Sequence, residues 1–368
     1  MHNNKMNKAL KIGIDGIFLS GQRRGHAQYA FELCRHLDRL LPNAQFFIYS
    51  PLPIEISTLS ERWTLRNYGK FLSISPVLWL KIFGSFLCYK DNLDVFWTPF
   101  SFLPSLPNGV NKVVTVHDFT YKIIPESLPF LHTLALRLFF MKDVLRADTI
   151  ITNSEGTDKR LYEYTGCQSI IIKPAIREVF KRQKENKITI YLKDYDIFFP
   201  YLLNVATWEP RKNIEILIET FINMKRQGLL PLHKLVLVGK KGWQYNRIES
   251  LIANEGKNNI VVLGYVPDEK LNALYNGADV FVFPSIYEGF GMPVLEARAC
   301  GTPIVTTDIP ELREAGGKDA IYVKPTEEGI KKGILSALAQ TSPVNPAKIQ
   351  SPSWQDGAMS LAEVFIGP

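Results

Sequence analysis

Two sets of short apolar runs, each alternating with longer helix-like stretches, constrain the fold of this chain more than any other feature of its sequence. The first set comprises residues 11–14, 46–49, 95–97, 113–116, 149–152 and 170–172, and the second comprises residues 201–205, 234–238, 260–263, 280–283, 304–306 and 321–323. Alternating strands and helices imply parallel sheets with helices on both faces. We therefore expect an α/β protein of two doubly wound domains facing each other across a cleft, since ligands of such sheets bind beyond the carboxyl ends of the strands.

The length and composition of the chain agree with two such domains. The chain has 368 residues, of which 46% are hydrophobic and 21% are charged, so it can form sizeable cores and does not have the composition of a disordered protein. A stretch rich in Lys, Asn and Asp separates the two sets of runs. We predict an N-terminal domain over residues 1–178, a linker over 179–199 and a second domain over 200–345. Prolines then separate a last helical segment, residues 346–368, from the second domain. The sequence leaves open whether this segment packs on the N-terminal domain.

Charge and cysteine content narrow the functional classes. A formal net charge of +7 fits a phosphorylated ligand, an anionic membrane face or nucleic acid, but no nucleic-acid-binding module accompanies it. The four cysteines lie far apart in the sequence, which favours neither a zinc site nor a dense disulfide framework. The first apolar run is broken at once by Asp15 and Gly16, which is not typical of a signal peptide. A reducing cytoplasm is the simplest expected setting.

Two segments raise the question of a membrane partner. Residues 71–88 are almost wholly apolar, although a proline, a glycine and Lys81 interrupt them, and a membrane span needs about 20 clean apolar residues. A buried helix is the favoured interpretation, with a helix on a bilayer surface and a span as alternatives. A second helix carries Arg137, Lys142 and Arg146 among apolar residues. It is interpreted first as a core-facing helix with a solvated basic side, and otherwise as a surface for anionic lipid.

The strongest local signal is the segment SIYEGFGMPVLEA, which follows the predicted strand at 280–283. Its loop contains two glycines, and Pro293 then lies where the first turn of a helix tolerates proline. Exposed backbone N–H groups before a helix suit a diphosphate. Glu288 on the loop is placed to accept hydrogen bonds from sugar hydroxyls, and Glu296, about one turn into the helix, from a ribose diol. An ordinary strand–turn–helix with two glutamates is the alternative.

The second signal is NVATWEPRKN at residues 204–213, where a strand ends and Pro210 stiffens the turn. Arg211 and Lys212 then stand at the predicted start of the next helix. Cations are unfavourable at a helix N-terminus, so this placement predicts a bound anion such as a phosphate. We expect both cations to lie at an exposed cleft. A solvated basic turn is the alternative.

The spacing E-x7-E from Glu288 to Glu296, together with the preceding EPRKN, resembles the retaining glycosyltransferases of glycosyltransferase family four. The segments GYVPDEKL and YEGFGMPVLEARACGTPIV are most similar to bacterial mannosyltransferases and related enzymes that build surface polysaccharides. The resemblance spans the whole chain and is strongest over residues 201–334. It implies the GT-B fold, in which two Rossmann-like domains face each other across a cleft.

The resemblance also implies roles for individual residues of the second domain. Arg211, Lys212 and Gly291 would bind the donor diphosphate. Glu288, with Phe290 and Gly291, would hold the donor sugar.

The nucleoside end of the donor would lie at a different set of residues. Glu296 would bind the ribose, and the segment containing Tyr265 and Val266 matches the one that borders the nucleotide base in such enzymes.

In the first domain, His117 and Asp118 resemble the family's His-Asp pair, in which the histidine lies by the sugar and the reaction centre. The resemblance therefore implies catalytic roles for His117 and Asp118 beside that of Glu288.

The glycine-rich loop after the first strand departs from the family pattern. The family often has Gly-x-Gly-Arg-Tyr, whereas this chain has Gly25-His26-Ala27-Gln28-Tyr29. The Cβ of Ala27 stands where backbone approaches a ligand in the family. The acceptor contacts implied for Gly25, His26 and Tyr29 are affected more than the donor site.

The resemblance therefore implies a retaining hexosyltransferase, with mannose from GDP-mannose as the favoured donor and a lipid-linked surface polysaccharide such as O-antigen as the acceptor, working peripherally at the inner face of the cytoplasmic membrane. Fixed cations and amides can stabilise the leaving diphosphate, so we expect no metal and no cofactor. The D-x-D formed by Asp194 and Asp196 falls in the linker. The alternatives are a UDP- or dTDP-sugar donor, a sugar-nucleotide epimerase, and a non-catalytic nucleotide-sugar-binding subunit. Nucleic acid is not an expected partner, and the oligomeric state is open.

Overall fold

The computed structural model describes residues 9–17, 19, 25–54, 59–67, 76–340 and 352–367. The chain divides into two compact units. The first comprises Met1–Phe119, Phe130–Ala175 and Pro352–Pro368, and the second comprises Thr120–Pro129 and Ile176–Ser351. The predicted boundary at residues 345 and 346 lies outside the described residues.

Each unit contains one parallel sheet, which confirms the predicted α/β architecture of two doubly wound domains. The strands are β1 (Lys11–Asp15), β2 (Gln45–Tyr49), β3 (Trp63–Arg66), β4 (Val95–Thr98), β5 (Asn111–Val116), β6 (Thr149–Thr152), β7 (Ile170–Ile171), β8 (Tyr201–Val205), β9 (Lys234–Val238), β10 (Ile260–Gly264), β11 (Val280–Phe283), β12 (Ile304–Thr307) and β13 (Ile321–Val323). The strand order is β3-β2-β1-β4-β5-β6-β7 in the first unit and β10-β9-β8-β11-β12-β13 in the second. Strand β3 was not predicted, because it is a short edge strand with three half-buried residues and no apolar run.

Helices occupy the connections between the strands. They are α1 (His26–Leu40), α2 (Pro76–Trp79), α3 (Ser85–Asp91), α4 (Thr120–Ile123), α5 (Phe130–Ala135), α6 (Met141–Val144), α7 (Glu155–Thr165), α8 (Glu185–Lys193), α9 (Ile214–Arg226), α10 (Asn246–Leu251), α11 (Asp268–Gly277), α12 (Met292–Cys300), α13 (Pro310–Gly316), α14 (Glu327–Leu338) and α15 (Trp354–Ile366). Turns of π-helix lie at Leu80–Gly84, Leu136–Phe140 and Ile252–Gly256, and 3₁₀ turns lie at Pro125–Ser127 and Pro210–Lys212. The segment expected as a linker, residues 179–199, therefore contains helix α8.

Helix α9 illustrates how the sequence pattern produces the core of the second unit. Ile214, Leu217, Ile218, Phe221 and Ile222 recur at helical spacing and are all buried. Such a face packs against the sheet, and each side chain of this size contributes roughly 1.5–3 kcal/mol when fully buried. In the first unit, α15 packs against α1.

The sheet order of the second unit positions its functional loops. From the centre of this sheet, β8, β9 and β10 follow one another toward one edge, and β11, β12 and β13 follow one another toward the other edge. Strands β8 and β11 are neighbours and parallel, so the loops after them begin side by side at the point where the strand order reverses. Doubly wound sheets bind their ligands at this switch point.

The described part of the apolar segment, residues 76–88, is amphipathic rather than buried. Residues 71–75 lie outside the described part of the chain, and residues 76–91 form α2, a π turn and α3 in succession. Trp79 and Cys88 are buried, whereas Ile82 and Phe86 are exposed, so the favoured buried-helix interpretation was wrong for one face. Among the helices that the structure describes, none combines the length and apolar character that crossing a bilayer requires.

Candidate functional site

The loops that follow β8 and β11 contact each other directly. The backbone N–H of Ile286 donates to the carbonyl oxygen of Arg211 at 2.8 Å, and the hydroxyl oxygen of Ser285 lies 3.0 Å from the same carbonyl oxygen. These bonds bring the EPRKN segment and the SIYEGFG segment together at the switch point of the sheet. Two motifs about 75 residues apart in sequence thus form one site, as expected where adjacent parallel strands end.

Glu288 lies at the centre of this site, and only 7% of it is exposed. The ammonium of Lys212 donates to its Oε1, the Nη1 of Arg211 donates to its Oε2 at 2.9 Å, and the hydroxyl of Ser285 donates to Oε1 at 2.6 Å. Burial raises the pKa of Glu288, but Lys212 and Arg211 outweigh that effect and hold the pKa at about 2. The carboxylate is therefore ionised at neutral pH.

The two cations are held differently from the sequence-based prediction. Arg211 and Lys212 belong to a 3₁₀ turn, Asn213 adopts a left-handed conformation with φ of 56°, and α9 begins at Ile214. The cations thus precede the first turn of α9. Within the protein they are offset by Glu288, which pairs with both, and by Glu209, which pairs with Arg211 at 3.1 Å.

The expected exposed setting was also wrong. Lys212 is only 9% exposed, and its ammonium lies 5.2 Å from the centroid of the Phe283 ring. Burial, and after it the charge of Arg211, lowers the pKa of Lys212, while Glu288 acts in the opposite direction.

The start of α12 requires glycine and tolerates proline, as the sequence predicts. Gly291 has φ of 104°, and a Cβ there would lie 2.5 Å from Cδ2 of Leu312. Pro293 occupies the first turn of α12, and Phe290 is buried. The N–H groups of a first helical turn lack intrahelical acceptors, so this end of α12 can bind an anion.

Glu296 has its own set of partners, separate from those of Glu288. Its Oε1 accepts from Nη2 of Arg177 at 3.0 Å, and its Oε2 accepts from the hydroxyl of Tyr275 at 3.1 Å. Burial raises the pKa of Glu296, and Arg177 opposes this. Tyr265 and Val266 follow β10. Tyr265 is exposed and Val266 is buried.

Three residues of the second unit escaped the sequence-based reasoning. Ser285 was part of the recognised segment but had no assigned role, and nothing in the sequence marked Arg177. Gly239 directly follows β9 with φ of 143°, and a Cβ there would lie 1.8 Å from the carbonyl oxygen of Ala206. A glycine directly after an apolar strand was the available signal for this close approach of two loops.

In the first unit, both ring nitrogens of His117 bind protein groups. Nε2 lies 2.7 Å from the carbonyl oxygen of Pro99, and Nδ1 lies 3.3 Å from the amide nitrogen of Asn153. A carbonyl only accepts, so Nε2 carries the proton and Nδ1 accepts from Asn153. Burial first, and then the neighbouring His26, lowers the pKa of His117 well below its usual value. His117 is therefore neutral, and the two partners fix its ring.

The remaining predicted residues of the first unit surround this histidine. The ring of His26 stacks on that of His117 with centroids 4.0 Å apart, and Nε2 of His26 lies 4.0 Å from Oδ2 of Asp118. Gly25 precedes α1 with φ of 50°. Tyr29 is buried and donates its hydroxyl to the carbonyl oxygen of Ile172 at 2.9 Å. The structure thus brings His26, His117 and Asp118 together and places Tyr29 in the core.

Asp15, the last residue of β1, carries a buried carboxyl group. It was not predicted as a site residue, since in the sequence it only interrupts an apolar run. Its oxygens accept from the N–H of Ile17 at 3.0 Å and the hydroxyl of Thr98 at 3.1 Å. Burial raises the pKa of Asp15 to about 7. β1 and β4 are the strands at which the order of the first sheet reverses.

The D-x-D pair lies at the end of α8. Asp194 forms an ion pair with Lys270 at 2.8 Å, and Asp196 has φ of 53°. Across the described ranges, no three His, Cys, Asp or Glu side chains are grouped as metal ligands would be.

Comparisons with known proteins agree on one family. The family model "Glycosyl transferases group 1" matches residues 178–349. O-antigen chain mannosyltransferase B of Escherichia coli is 31% identical over 313 residues, which cover 81% of this chain and 74% of that protein. O-antigen chain mannosyltransferase RfbU of Salmonella typhimurium is 26% identical over 287 residues, which cover 75% of this chain and 74% of that protein.

A solved structure extends the likeness to the fold of nearly the whole chain. WaaG, a glycosyltransferase involved in lipopolysaccharide biosynthesis, superimposes with a TM-score of 0.72 at 16% sequence identity, covering 96% of this chain and 95% of that one. The likeness to this structure bears on fold alone and agrees with the GT-B architecture of two parallel-sheet units.

Proposed function

The chain belongs to the group 1 glycosyltransferases, with O-antigen mannosyltransferases among its relatives, and from that premise we propose that it transfers mannose from GDP-mannose to a lipid-linked O-antigen-type polysaccharide with retention of configuration. The relatives support the sugar and the pathway class. The choice of GDP as the nucleotide follows from mannose as the donor sugar.

The observation that carries the proposal is the buried cluster of Arg211, Lys212 and Glu288 at the switch point of the second sheet. Arg211 and Lys212 both pair with Glu288 there, and Arg211 also pairs with Glu209 at 3.1 Å. Two basic side chains are thus held in place where the proposal puts the donor diphosphate. Glu288 fixes both cationic side chains without a bound ligand. Fixed charges need no reorganisation when negative charge develops on a leaving group.

The proposed reaction uses this arrangement. The bond between the anomeric carbon and the diphosphate oxygen breaks, and the diphosphate leaves toward Arg211, Lys212 and the N-terminal amides of α12. The acceptor hydroxyl bonds to the same face of the sugar, and its proton passes to an oxygen of the leaving phosphate. Glu288 and Phe290 hold the sugar, and Glu296 holds the ribose near Tyr265 and Val266. No metal and no cofactor takes part in this scheme.

The first unit holds the acceptor in this proposal. Gly25 and His26 lie at the exposed start of α1, and Asp118 is within reach of His26. Tyr29 supports His117 through an edge-on contact with centroids 5.2 Å apart. In this proposal His117 is a neutral, fixed group rather than a proton acceptor, because both of its nitrogens have partners.

We propose that an exposed apolar face of the first unit binds an anionic bilayer, which places the enzyme at the inner face of the cytoplasmic membrane beside its lipid-linked acceptor. This face, termed here the apolar face, consists of exposed large side chains on residues 76–91 and 130–145: Leu78, Ile82, Phe86, Tyr89, Phe130, Leu131, Leu134, Leu138 and Leu145. Lys81 joins the two segments by donating to the carboxylate of Asp143, and it also donates to the carbonyl oxygen of Leu103 at 2.7 Å.

The charge around the apolar face favours lipid as the occupant. Arg137, Lys142 and Arg146 are exposed on the same segment. Cations beside inserted apolar side chains suit anionic lipid.

Liposome flotation tests the membrane proposal. The wild type should float with anionic vesicles at low salt, and Phe130→Ser with Leu131→Ser should reduce the floating fraction severalfold. Leu232→Ser is the matched control, because Leu232 is equally exposed, at 73%, but lies in the second unit. Absence of binding at low salt, or an equal effect of the control, contradicts the proposal.

The transferase proposal is tested first by ligand preference. GDP, UDP, dTDP and ADP with their sugars are compared by thermal shift, since a ligand at 100 times its Kd adds about 2.7 kcal/mol of stability. We expect the largest shift with GDP-mannose. A larger shift with a UDP- or dTDP-sugar would show that this sugar nucleotide, and not GDP-mannose, is the donor. Conversion of the sugar nucleotide without an acceptor indicates an epimerase, and binding without any turnover in the presence of acceptor indicates a non-catalytic subunit.

A further inference from the structure

Arg177 lies at the start of the main segment of the second unit and joins two acidic side chains. Its Nη1 contacts Oδ2 of Asp268 at 2.5 Å, and its Nη2 contacts Oε1 of Glu296 at 3.0 Å. The guanidinium carbon lies 4.7 Å from the centroid of the Phe180 ring. A guanidinium with two carboxylate partners and a ring beneath it has one favoured orientation. Arg177 is thus a rigid support for Glu296.

Glu296 depends on that support because of its surroundings. The other titratable groups that face it are Tyr275 and Asp268 on α11 and Cys300 one turn further along α12, and none of these three carries a positive charge. Arg182 approaches this region at the carbonyl of Cys300. Burial raises the pKa of Glu296, and Arg177 is the largest opposing influence.

The hydrogen-bonding capacity of Glu296 matches a diol. An ionised carboxylate offers about four lone-pair sites, and Arg177 and Tyr275 each occupy one. One site remains on each oxygen, and 11% of the side chain is exposed. Two free acceptor sites fit the two adjacent hydroxyls of a ribose, which both act as donors.

We propose that Arg177 is a positioning residue for the nucleoside end of the donor: it orients Glu296 so that its remaining lone pairs accept from the ribose 2′- and 3′-hydroxyls. This inference rests on the proposed function, which assigns the ribose to Glu296. Arg177 does not itself touch the ribose, and the residue acts through Glu296.

The test compares two probes, GDP and 2′,3′-dideoxy-GDP, by titration calorimetry on the full chain. Arg177→Met should weaken the affinity for GDP by about tenfold, which is the scale of a lost hydrogen bond to a charged group. The affinity for the dideoxy probe should stay nearly unchanged. A general structural defect would weaken both probes equally. Arg177→Lys keeps the positive charge but cannot contact both carboxylates through two planar nitrogens, so its affinity for GDP should fall between those of wild type and Arg177→Met. Arg226→Met, which removes an exposed pair with Glu255, is the control and should match wild type.

The pH dependence gives a second readout. Without Arg177 the pKa of Glu296 rises further, so the GDP affinity of Arg177→Met relative to wild type should recover as the pH increases. Taking the ratio to wild type removes the titration of the nucleotide phosphate. A ratio that is constant between pH 6 and 9, with equal losses for both probes, overturns the inference.

The same two probes distinguish a failure of the proposed ribose site from a failure of the role proposed for Arg177. A wild type that binds GDP and the dideoxy probe equally shows that Glu296 does not hold the ribose, which refutes the proposed site and the inference with it. A wild type that prefers GDP, with an Arg177→Met variant that keeps the same preference, refutes the inference alone. Loss of the preference in Arg177→Met and partial retention in Arg177→Lys support it.

Discussion

Replacing Lys212 with methionine removes the cation that contributes most to holding Glu288 ionised inside the second unit. Burial raises the pKa of Glu288, yet Lys212 and Arg211 bring it from 4.5 down to about 2. That difference in pKa corresponds to about 3 kcal/mol of folding stability at neutral pH, since a pKa difference of one corresponds to ~1.4 kcal/mol. Because Glu288 is almost fully buried, little of this is lost to solvent screening. We expect Lys212→Met to destabilise the protein by about 2–3 kcal/mol, or roughly 5–10 °C in Tm for a unit of this size.

The assay is thermal unfolding from pH 2.5 to 8, with no ligand present. A lowered pKa stabilises the fold above the ordinary pKa of 4.5, and this stability is lost as the pH falls toward 2. The difference between wild type and Lys212→Met should therefore be largest at pH 6–8 and shrink in acid. Adding Glu288→Gln should restore part of the loss, because no buried charge is then unpaired. Lys332→Met is the control, since its pair with Glu328 is exposed. A Lys212→Met variant as stable as the control, with the acid dependence of wild type, refutes the reasoning.

Three further predictions concern the donor site. Glu288→Ala should abolish transfer while GDP still binds, whereas Glu296→Ala should weaken the affinity for GDP. Equal losses of GDP affinity in calorimetry would remove this division of roles. Gly291→Ala should cost more than about 1 kcal/mol, because its φ of 104° and the nearby Leu312 side chain leave no room for a Cβ, and an unchanged Tm would contradict this. Transfer should persist in excess EDTA, and Asp194→Ala with Asp196→Ala should be nearly silent. Loss of turnover on chelation with recovery on adding Mn²⁺ or Mg²⁺ would show that the diphosphate is neutralised by a metal.

The alternating pattern predicted both sheets because buried parallel strands are near-continuous apolar runs with sharp ends. Residues 201–205, 234–238 and 280–283 were predicted with the bounds that β8, β9 and β11 have in the structure. Strand β3 lacked this signal, since its pairing with β2 at the sheet edge, and not its composition, makes it a strand.

The sequence also indicated which segments of the second unit form a site, but not how charges are matched within it. The macrodipole argument predicted a bound anion near Arg211 and Lys212, but both cations precede α9, and Glu288, about 76 residues away in sequence, pairs with them. Burial of Lys212 follows from the meeting of two loops, which local pattern does not encode. The same holds for Arg177 and Glu296, which are 119 residues apart.

The most direct test of the central claim is the stereochemistry of transfer. The chain is incubated with GDP-mannose and a lipid-linked polysaccharide acceptor in anionic vesicles, and the new linkage is examined by NMR. We predict a mannosylated acceptor with the anomeric configuration of the donor, and no such product from the Arg211→Ala variant. A product of inverted configuration, or full transfer by Arg211→Ala, would contradict a retaining transferase whose donor diphosphate is bound at the switch point of the second sheet.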